Sequence, residues 1–260
     1  MDVIVNTGDL GRCIKALLPH VSVDKEDVLC QHIELRIAPT GDLLLSATDR
    51  FSAVVAVVSV EDNLSGEVST CHLHSADAKQ LAAMFKASAD AIEGQELLRL
   101  VAYRDTLQVI DHSGLFEGKE ATWPAAPRDD FPPISHLVNR VHDGRTAAAA
   151  APAAFAADHL ARFGMSGRAL RAPVVFRQVE AQRPTVAVHC GEDLAGVLLG
   201  FTPDPEERRT LGSAWRSRLA GAPLAGDPTD VEALVVDLEA YLARRDDDND
   251  PTPAPEGDEA

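Results

Sequence analysis

Residues 41–60 of the chain read GDLLLSATDRFSAVVAVVSV. Leu43–Ala47 predicts a short strand, and the β-branched run Ser52–Val60 predicts a second strand that is too short to span a membrane. The polar residues Thr48, Asp49 and Arg50 lie between the two and predict the corner of an antiparallel pair. Such pairs are common, so the fold is indicated by the order of the elements around this one.

The pair closes a first unit made of one strand, one helix and three further strands. Val3–Asn6 predicts the first strand, and Leu10–Leu18 has the apolar spacing of a helix, with Thr7 or Asp9 as its cap. His32–Ile37 alternates apolar and polar residues, which is typical of a strand with one buried face.

The same order of elements then repeats after a predicted turn at residues 61–66. Glu67–Leu73 predicts a strand, and Ser75 is expected to cap a helix over Ala76–Ala87. Three short strands are predicted to follow, at Leu97–Ala102, Thr106–Ile110 and Leu115–Ala121. Two βαβββ units in tandem therefore predict a domain over residues 1–122.

A third unit is predicted after a connector at residues 123–144. The connector is proline-rich and polar, apart from an apolar cluster at Phe131, Ile134, Leu137 and Val138. Residues 145–203 predict a half-size domain with a weak strand at Ala147–Ala151 and a helix from Pro152 to Phe163. Its remaining strands are predicted at Pro173–Val179, Thr185–Cys190 and Leu194–Phe201.

The character of the chain changes in the last part, where residues 204–245 predict a helical extension. Asp204 and Pro205 begin a charged helix that ends near Leu219. Thr229 and Glu232 form a capping-box pattern at the start of a second helix. The apolar stripe of that second helix is Val231, Leu234, Val235, Leu238 and Leu242. This stripe either packs on the sheet of the same chain or docks another protein. Residues 246–260 are acidic and proline-rich and are expected to be disordered.

The chain has 260 residues, of which 45% are hydrophobic, and a formal net charge of −17. This balance argues against a body covered in DNA-binding charge, but it permits a local basic surface. No apolar run reaches the length of a membrane helix and no signal-like segment begins the chain, so we expect a cytoplasmic protein. Four widely spaced cysteines, Cys13, Cys30, Cys71 and Cys190, are expected to be reduced.

The sequence predicts no catalytic residue, metal ion or cofactor. It contains no GxxxxGK[ST] phosphate-binding loop, no HExxH and no GxSxG motif. His72 and His74 fall on one face of a predicted strand and could begin a metal site. Because no third ligand follows at a fixed spacing, a pair of surface histidines is the favoured interpretation.

The order of the units and the residues themselves resemble the bacterial DNA polymerase sliding clamp, the β subunit of the replicase. The closest stretch is 41–86, and Asp130-Phe131-Pro132 resembles the motif that ends the first clamp domain. APVVFRQVEAQRPTVAVHCGEDLAGVLLGF, at residues 172–201, looks like a clamp half-domain. The resemblance covers residues 1–203. It implies an α+β clamp fold of tandem βαβββ units, in which helices back antiparallel sheets, and here a C-terminal helical extension is added.

The resemblance also implies that the helices face duplex DNA and contact its phosphates without reading the base sequence. The predicted DNA-binding residues on or beside those helices are Arg12, Lys15, Lys79, Lys86, Arg162, Arg168 and Arg171. A clamp of this kind has no chemistry of its own. It binds duplex DNA and tethers a DNA polymerase.

Clamps bind partner peptides in an apolar pocket beside a Thr-Asp corner, and the resemblance implies a matching pocket here. Its predicted residues are Thr48, Arg50, Phe51, Phe131, Leu198 and Phe201. The expected partners are DNA polymerase and other clamp-binding proteins.

The chain departs from the family in its number of units, because bacterial clamps carry twice as many in each chain. A closed ring would require a homo-oligomer. The alternative is a short, divergent member, for example a phage-encoded one, that acts as an adaptor or decoy. Such a protein would bind replication or transcription proteins without encircling DNA.

Overall fold

The computed structural model describes residues 1–66, 69–87, 96–114, 118–145, 153–181, 183–206, 209–210 and 213–214. Residues Met1–Pro203 form one compact domain, the N-terminal domain, and a second, C-terminal domain begins at Asp204. The described part of the N-terminal domain is an α+β fold in which two antiparallel sheets pack with four helices, as the sequence predicts.

The strands are β1 Asp2–Asn6, β2 His32–Ile37, β3 Leu43–Thr48, β4 Ser52–Val58, β5 Val60–Asn63, β6 Thr70–His74, β7 Leu97–Tyr103, β8 Thr106–Asp111, β9 Glu120–Pro124, β10 Val174–Val179, β11 Thr185–Cys190 and β12 Leu194–Leu199. The helices are α1 Thr7–Leu17, α2 Ser75–Met84, α3 Ile134–His142 and α4 Ala157–Leu170.

The first two βαβββ units, as predicted from the sequence, exchange their first strands. The five-stranded sheet has the order β5-β1-β7-β8-β9, so β1 of the first unit pairs with β7 of the second, with Val3 opposite Leu100. In return, β6 of the second unit pairs with β2 of the first, with Ile33 opposite Leu73. The exchange makes the two units one interlocked body.

The third unit extends the other sheet. The seven-stranded sheet has the order β10-β11-β12-β4-β3-β2-β6. Strand β12 pairs with β4 in antiparallel fashion, with Val197 opposite Ala53 and Leu194 opposite Ala56. One continuous sheet therefore joins residues of the first and third units.

The helices lie on both faces of the seven-stranded sheet. Because side chains alternate along a strand, Val54 and Leu198 reach the large core under α1 and α4. Ala53, Val55 and Val197 instead pack against α3. Helices α1, α2 and α4 thus occupy one face, and α3 covers the β4–β12 junction on the other.

Both predicted helix caps were wrong by one or more residues. Asn6 caps α1, because its side-chain oxygen accepts from the N–H of Asp9 at 3.1 Å, whereas Thr7 is already helical. The cap of α2 is His74, whose Nδ1 accepts from the N–H of Ala76 at 3.2 Å, and Ser75 is the first helical residue.

Helix α3 lies in the stretch that the sequence predicts to be a connector. Pro132 and Pro133 come immediately before the helix, where proline is tolerated because no intrahelical donor is lost. Ile134 and Val138 are one helical turn apart and are buried against the sheet. The apolar cluster of the connector is therefore the inner face of a short helix.

The strand boundaries also differ from the prediction in two places. The predicted strand Ser52–Val60 is divided at Ser59, because β4 belongs to the seven-stranded sheet while β5 crosses to pair with β1. Strand β5 occupies part of the predicted turn. Strand β9 ends later than predicted, because Trp123 is buried and donates its Nε1–H to Gln80 at 2.9 Å. Its remaining predicted residues include 115–117, which lie outside the described residues.

Helix α4 begins and ends later than predicted. Ala154 makes an isolated β-bridge with Phe201, which keeps the chain extended before the helix starts at Ala157. The helix continues through Gly167, where an added side chain would meet Val174 and the carbonyl of Ala172. It ends at Leu170, and the capping residue Arg171 adopts a left-handed conformation with φ 55°. The predicted strand at 147–151 and Pro152 lie outside the described residues.

In the C-terminal domain, the described residues at 205–206, 209–210 and 213–214 are helical, in the stretch where a helix is predicted. The carboxylate of Asp204 accepts from the N–H of Glu206 at 2.8 Å, which is typical of a helix start. The predicted helix around residues 231–242 and the acidic tail lie outside the described residues.

A buried polar network links α4 to the β3–β4 corner. Asp49 accepts hydrogen bonds from the N–H and hydroxyl of Ser52 at 2.7 and 2.8 Å. Its second carboxylate oxygen forms an ion pair with Arg162 of α4. His20 lies between Ser52 and Ser166, with ring nitrogens 2.9 and 3.0 Å from the two hydroxyls. The network therefore connects side chains of the first and third units.

Burial favours the neutral form of His20 in this network. Burial lowers the pKa of His20 to about 3, and the nearby charge of Arg162 acts in the same direction. Burial likewise lowers the pKa of His72 to about 4, and the Nδ1 of His72 accepts the N–H of Arg128 at 3.1 Å.

These two histidines predict that the protein loses stability in mild acid. Unfolding releases both imidazoles to their ordinary pKa near 6.5, so the unfolded chain binds more protons than the folded one below that pH. Stability is therefore complete above pH 6.5 and falls as the pH decreases toward the folded-state values. Between about pH 7 and pH 5 each histidine should remove about 2 kcal/mol from the free energy of unfolding, measured by urea titration.

The variant His20→Gln isolates one of the two contributions. It should lower the stability at neutral pH and reduce the loss of stability between pH 7 and pH 5 by about 2 kcal/mol, because one titrating group is gone while His32, His72 and His189, whose pKa values are also lowered, remain. His136→Gln, on the exposed face of α3, is the matched control and should keep the full slope. An unchanged slope in His20→Gln would show that His20 is not held neutral.

Candidate functional site

Helices α1, α2 and α4 lie side by side on one face of the N-terminal domain. Helix α1 is central and contacts both α4 and α2. Leu10, Ile14 and Leu17 of α1 are buried in the core, so the opposite side of the helix is left to solvent. We call the exposed surface of these three helices the helix face.

Four of the predicted DNA-binding residues belong to α1 and α2. Arg12 and Lys15 are exposed and one turn apart on α1, and Arg12 forms an ion pair with Asp9. Lys79 is exposed on α2, and Lys86 is exposed just beyond its end. All four are accessible to a ligand on the helix face, although Asp9 partly neutralises Arg12.

A groove on the helix face brings two of these lysines together. It has a volume of about 480 Å³ and includes Lys15 of α1, Lys79 of α2 and Met165 of α4 in its lining. Most of the other lining residues come from the segment after α1, which includes Leu18, Pro19, Val21, Ser22 and Val23. The groove is thus an apolar depression between three helices, with two ammonium groups in its lining.

The three predicted residues on α4 have different environments. Arg162 is only 23% exposed, and its guanidinium pairs with buried Asp49, so its charge is already compensated within the protein. Burial also lowers the pKa of Arg162. Arg168 and Arg171 are exposed, the latter at the C-terminal cap of the helix. The structure thus places Arg162 inside the fold and the other two arginines at its surface.

The acidic residues of the three helices are few. Asp9, Asp77 and Asp158 each lie in the first turn of their helix, where the helix dipole favours a negative charge. The exposed bases lie further along the helices or at their ends. The helix face is therefore richer in bases than the overall charge of −17 suggests.

The corner Thr48–Ser52 is held by its own side chains. The Thr48 hydroxyl donates to the carbonyl of Ser52 at 2.8 Å and accepts from the N–H of Arg50 at 3.1 Å. Arg50 adopts a positive φ of 75°. Its guanidinium donates to Asp27 at 2.6 Å, and this hydrogen bond raises the pKa of Arg50. The corner is a rigid turn with an arginine and a phenylalanine at its outer side.

Phe51 and Phe201 are both exposed at one end of the β4–β12 pair. The N–H of Leu199 donates to the carbonyl of Phe51 at 3.0 Å, which places the end of β12 beside the corner. Phe51 is 55% exposed and Phe201 is 57% exposed, and the ring of Phe51 stacks on His159 of α4 at 4.9 Å. We call Phe51, His159, Leu199 and Phe201 the corner patch.

The other two predicted pocket residues lie elsewhere. Leu198 is fully buried in the core beneath α1 and α4. Phe131 is buried on the opposite face of the sheet, in the cluster under α3, where its ring lies 4.6 Å from that of His72. The structure thus brings Thr48, Arg50, Phe51 and Phe201 to one corner and leaves Phe131 on the other side of the sheet.

Sequence reasoning missed His159 and Leu199 as members of the corner patch. Leu199 is next to Leu198, and only the register of β12 against β4 decides which of the two faces solvent. His159 stacks on a residue from a different unit, and no local pattern in the sequence indicates that contact.

His72 and His74 have structural roles. His72 is buried and accepts from the backbone of Arg128, while His74 caps α2. Within the described ranges, no group of three histidine, cysteine, aspartate or glutamate residues could hold a metal ion. The four cysteines are free and buried. No helix in the described residues has the length and apolar character needed to cross a membrane.

No protein-family model matches the sequence, and no curated protein matches it. Solved structures do resemble its fold. The DNA polymerase III β subunit of Thermotoga maritima superposes with a TM-score of 0.56 at 12% identity, over 80% of this chain and 66% of that one. The sliding clamp of Bacillus subtilis gives 0.56 at 11%, over 78% and 65%.

The Helicobacter pylori β clamp, solved with a DNA ligase peptide, gives a TM-score of 0.53 at 12% identity, over 80% of this chain and 69% of that one. The chain thus spans about two thirds of the length of the clamps that it matches. The agreement among these structures shows that the chain has the fold of the bacterial DNA polymerase sliding clamps.

Proposed function

We propose that the protein is a sliding-clamp-like processivity factor that binds duplex DNA without sequence preference and tethers a DNA polymerase or other replication proteins. It performs no chemistry of its own, and it acts in the cytoplasm. The observation that carries the proposal is the alignment of α1, α2 and α4 on one face, with exposed bases on each. Clamp folds with this helix arrangement support it.

The chemistry of the helix face suits a phosphate backbone. Lys15 and Lys79 in the groove and Arg168 on α4 are long, flexible cations that can contact phosphates at variable positions. Such contacts position the protein on DNA without reading base edges. They also permit sliding, because no single contact depends on the base sequence.

We predict that binding to duplex DNA decreases steeply with salt. Each phosphate contact releases counterions, so log Kd should rise linearly with log salt between about 50 and 200 mM. The combined substitution of Arg12, Lys15, Lys79 and Lys86 by alanine should weaken binding and reduce the slope by about 3 to 4. Fluorescence anisotropy with a labelled duplex measures both quantities.

The matched control removes four exposed bases that lie away from the helix face: Arg104, Arg140, Arg145 and Arg183. Substituting them by alanine changes the net charge equally but should leave the slope near that of the wild type. Equal losses in the two variants would mean that only net charge matters. Salt-independent binding of the wild type, or no binding, would contradict the proposal.

The second candidate function is a non-ring adaptor or decoy that binds replication or transcription proteins without encircling DNA. The corner patch favours it, because exposed aromatic rings beside a rigid turn are typical anchors for a partner. The net charge of −17 also opposes strong DNA binding. In the predicted peptide pocket, we propose that Phe51 and Phe201 make the main contacts, with Thr48 and Arg50 shaping the corner.

We predict that the double substitution of Phe51 and Phe201 by alanine weakens peptide binding at least about tenfold, since each ring would bury a large apolar area. The probe is the DNA ligase peptide bound by the Helicobacter pylori clamp, labelled and titrated by anisotropy. Tyr103→Ala, which removes an equally exposed aromatic ring at the end of β7, should have no effect. Equal binding by the double variant and the wild type would exclude the corner patch.

A further inference from the structure

The groove on the helix face combines two kinds of side chain that together suit one class of small molecule. Its volume of about 480 Å³ lies in the range of pockets that hold such molecules. Part of its lining is apolar, and the rest consists of lysine and serine side chains. The described lining contains no carboxylate and no aromatic ring. The composition of the groove therefore restricts the chemistry of its ligand.

The apolar part of the groove is well exposed to solvent. Val23, in the segment after α1, is 94% exposed, and Met165 of α4 is 47% exposed. These two residues are far apart in the chain, yet both line the groove together with Leu18. Exposed apolar side chains that converge on one depression are typical of a binding site, whereas single scattered ones are not. Because no aromatic ring is available for stacking, the lining suits an aliphatic chain.

The polar part of the groove donates hydrogen bonds and carries no acidic acceptor. Lys15 and Lys79 come from different helices, both are exposed, and neither forms an ion pair with another described residue. The Ser22 hydroxyl accepts from the N–H of Asp24 at 3.2 Å and can still donate its own proton. Ser75 supplies a second hydroxyl. Two ammonium groups and two hydroxyls favour a doubly charged anion with several acceptor oxygens.

The attraction for an anion comes from these side chains and not from the start of α2, where Ser75 and Ala76 line the groove. The N–H of Ala76 already donates to Nδ1 of His74 at 3.2 Å. Asp77 lies in the first turn of α2 and offsets part of the helix dipole. The two lysines are therefore the main source of positive charge at the groove.

We propose that the groove binds a phosphate monoester that carries one aliphatic chain. The phosphate group offers three acceptor oxygens and a charge of about −1.5 to −2 at pH 7, which matches two ammonium groups. The chain would lie against Leu18, Val23 and Met165, where its burial removes apolar surface from water. A phosphodiester of duplex DNA can use the same lysines but leaves this apolar part empty. The inference does not require DNA binding, although both ligands would share Lys15 and Lys79.

The test is calorimetric titration of the full chain with octyl phosphate, kept below the concentration at which it forms micelles. Binding should saturate at one site per chain with a Kd of about 0.1 to 1 mM, which is typical of a ligand of this size. The heat-capacity change should be negative, because apolar surface is buried. Octanoate and inorganic phosphate should each bind at least about tenfold more weakly, since the first has a smaller charge and the second has no chain.

Two substitutions at exposed positions separate the polar and apolar parts of the groove. Lys79→Met should weaken octyl phosphate binding at least about tenfold, because a charge-assisted contact is lost. Lys25→Met makes the same change at an exposed lysine outside the lining and should leave the Kd unchanged. Val23→Ser should raise the Kd about threefold and make the heat-capacity change less negative. Val28→Ser, at a position 51% exposed and outside the lining, should do neither.

Three results would overturn the inference. They are the absence of octyl phosphate binding, an equal Kd for Lys79→Met and the wild type, and association only with vesicles that contain phosphatidate. Duplex binding by a protein that does not bind octyl phosphate would leave the proposed function standing while this inference fails. Octyl phosphate binding without duplex binding would support this inference and contradict the proposed function.

Discussion

The antiparallel pairing of β4 with β12 is the constraint on which the rest of the structure depends. It joins two units that are far apart in the chain, so its formation costs the entropy of closing a long loop. The corner at Asp49 helps to offset that cost. Its buried carboxylate is satisfied both by Ser52 at the start of β4 and by Arg162, 113 residues away. Without this pairing α4 would lose its place beside α1, and the helix face would be reduced to two helices.

Local pattern was sufficient to predict most strands and the order of the units. The ends of β2 and β11 agree with the prediction because alternating apolar residues define a strand with one buried face. Strand exchange could not be predicted in this way, since the pattern of β1 specifies a strand but not its neighbour. Helix α3 was missed because the proline-rich and polar composition around it indicated a connector, although proline is tolerated at the start of a helix.

In the candidate site too, local pattern predicts some features, whereas others depend on tertiary packing. The amphipathic spacing of α1 indicates that Arg12 and Lys15 are exposed, and the structure agrees because the buried stripe is local. The ion pair of Arg162 with Asp49 depends on tertiary contact, so no local pattern indicates that the charge of this arginine is compensated. Phe131 and Phe51 fall on opposite faces of the sheet for the same reason, because only the packing of α3 decides where Phe131 lies.

The negative net charge and a basic helix face are compatible because electrostatic interactions are local in physiological salt. Screening limits the reach of a surface charge to about 8 Å, so phosphates near Lys15 and Lys79 would respond mainly to the charges on the helix face. The number of exposed bases on the helix face is nevertheless small. Because affinity for DNA rises exponentially with the number of phosphates contacted, the loss of the bases of any one helix would weaken such binding far more than in proportion to their number.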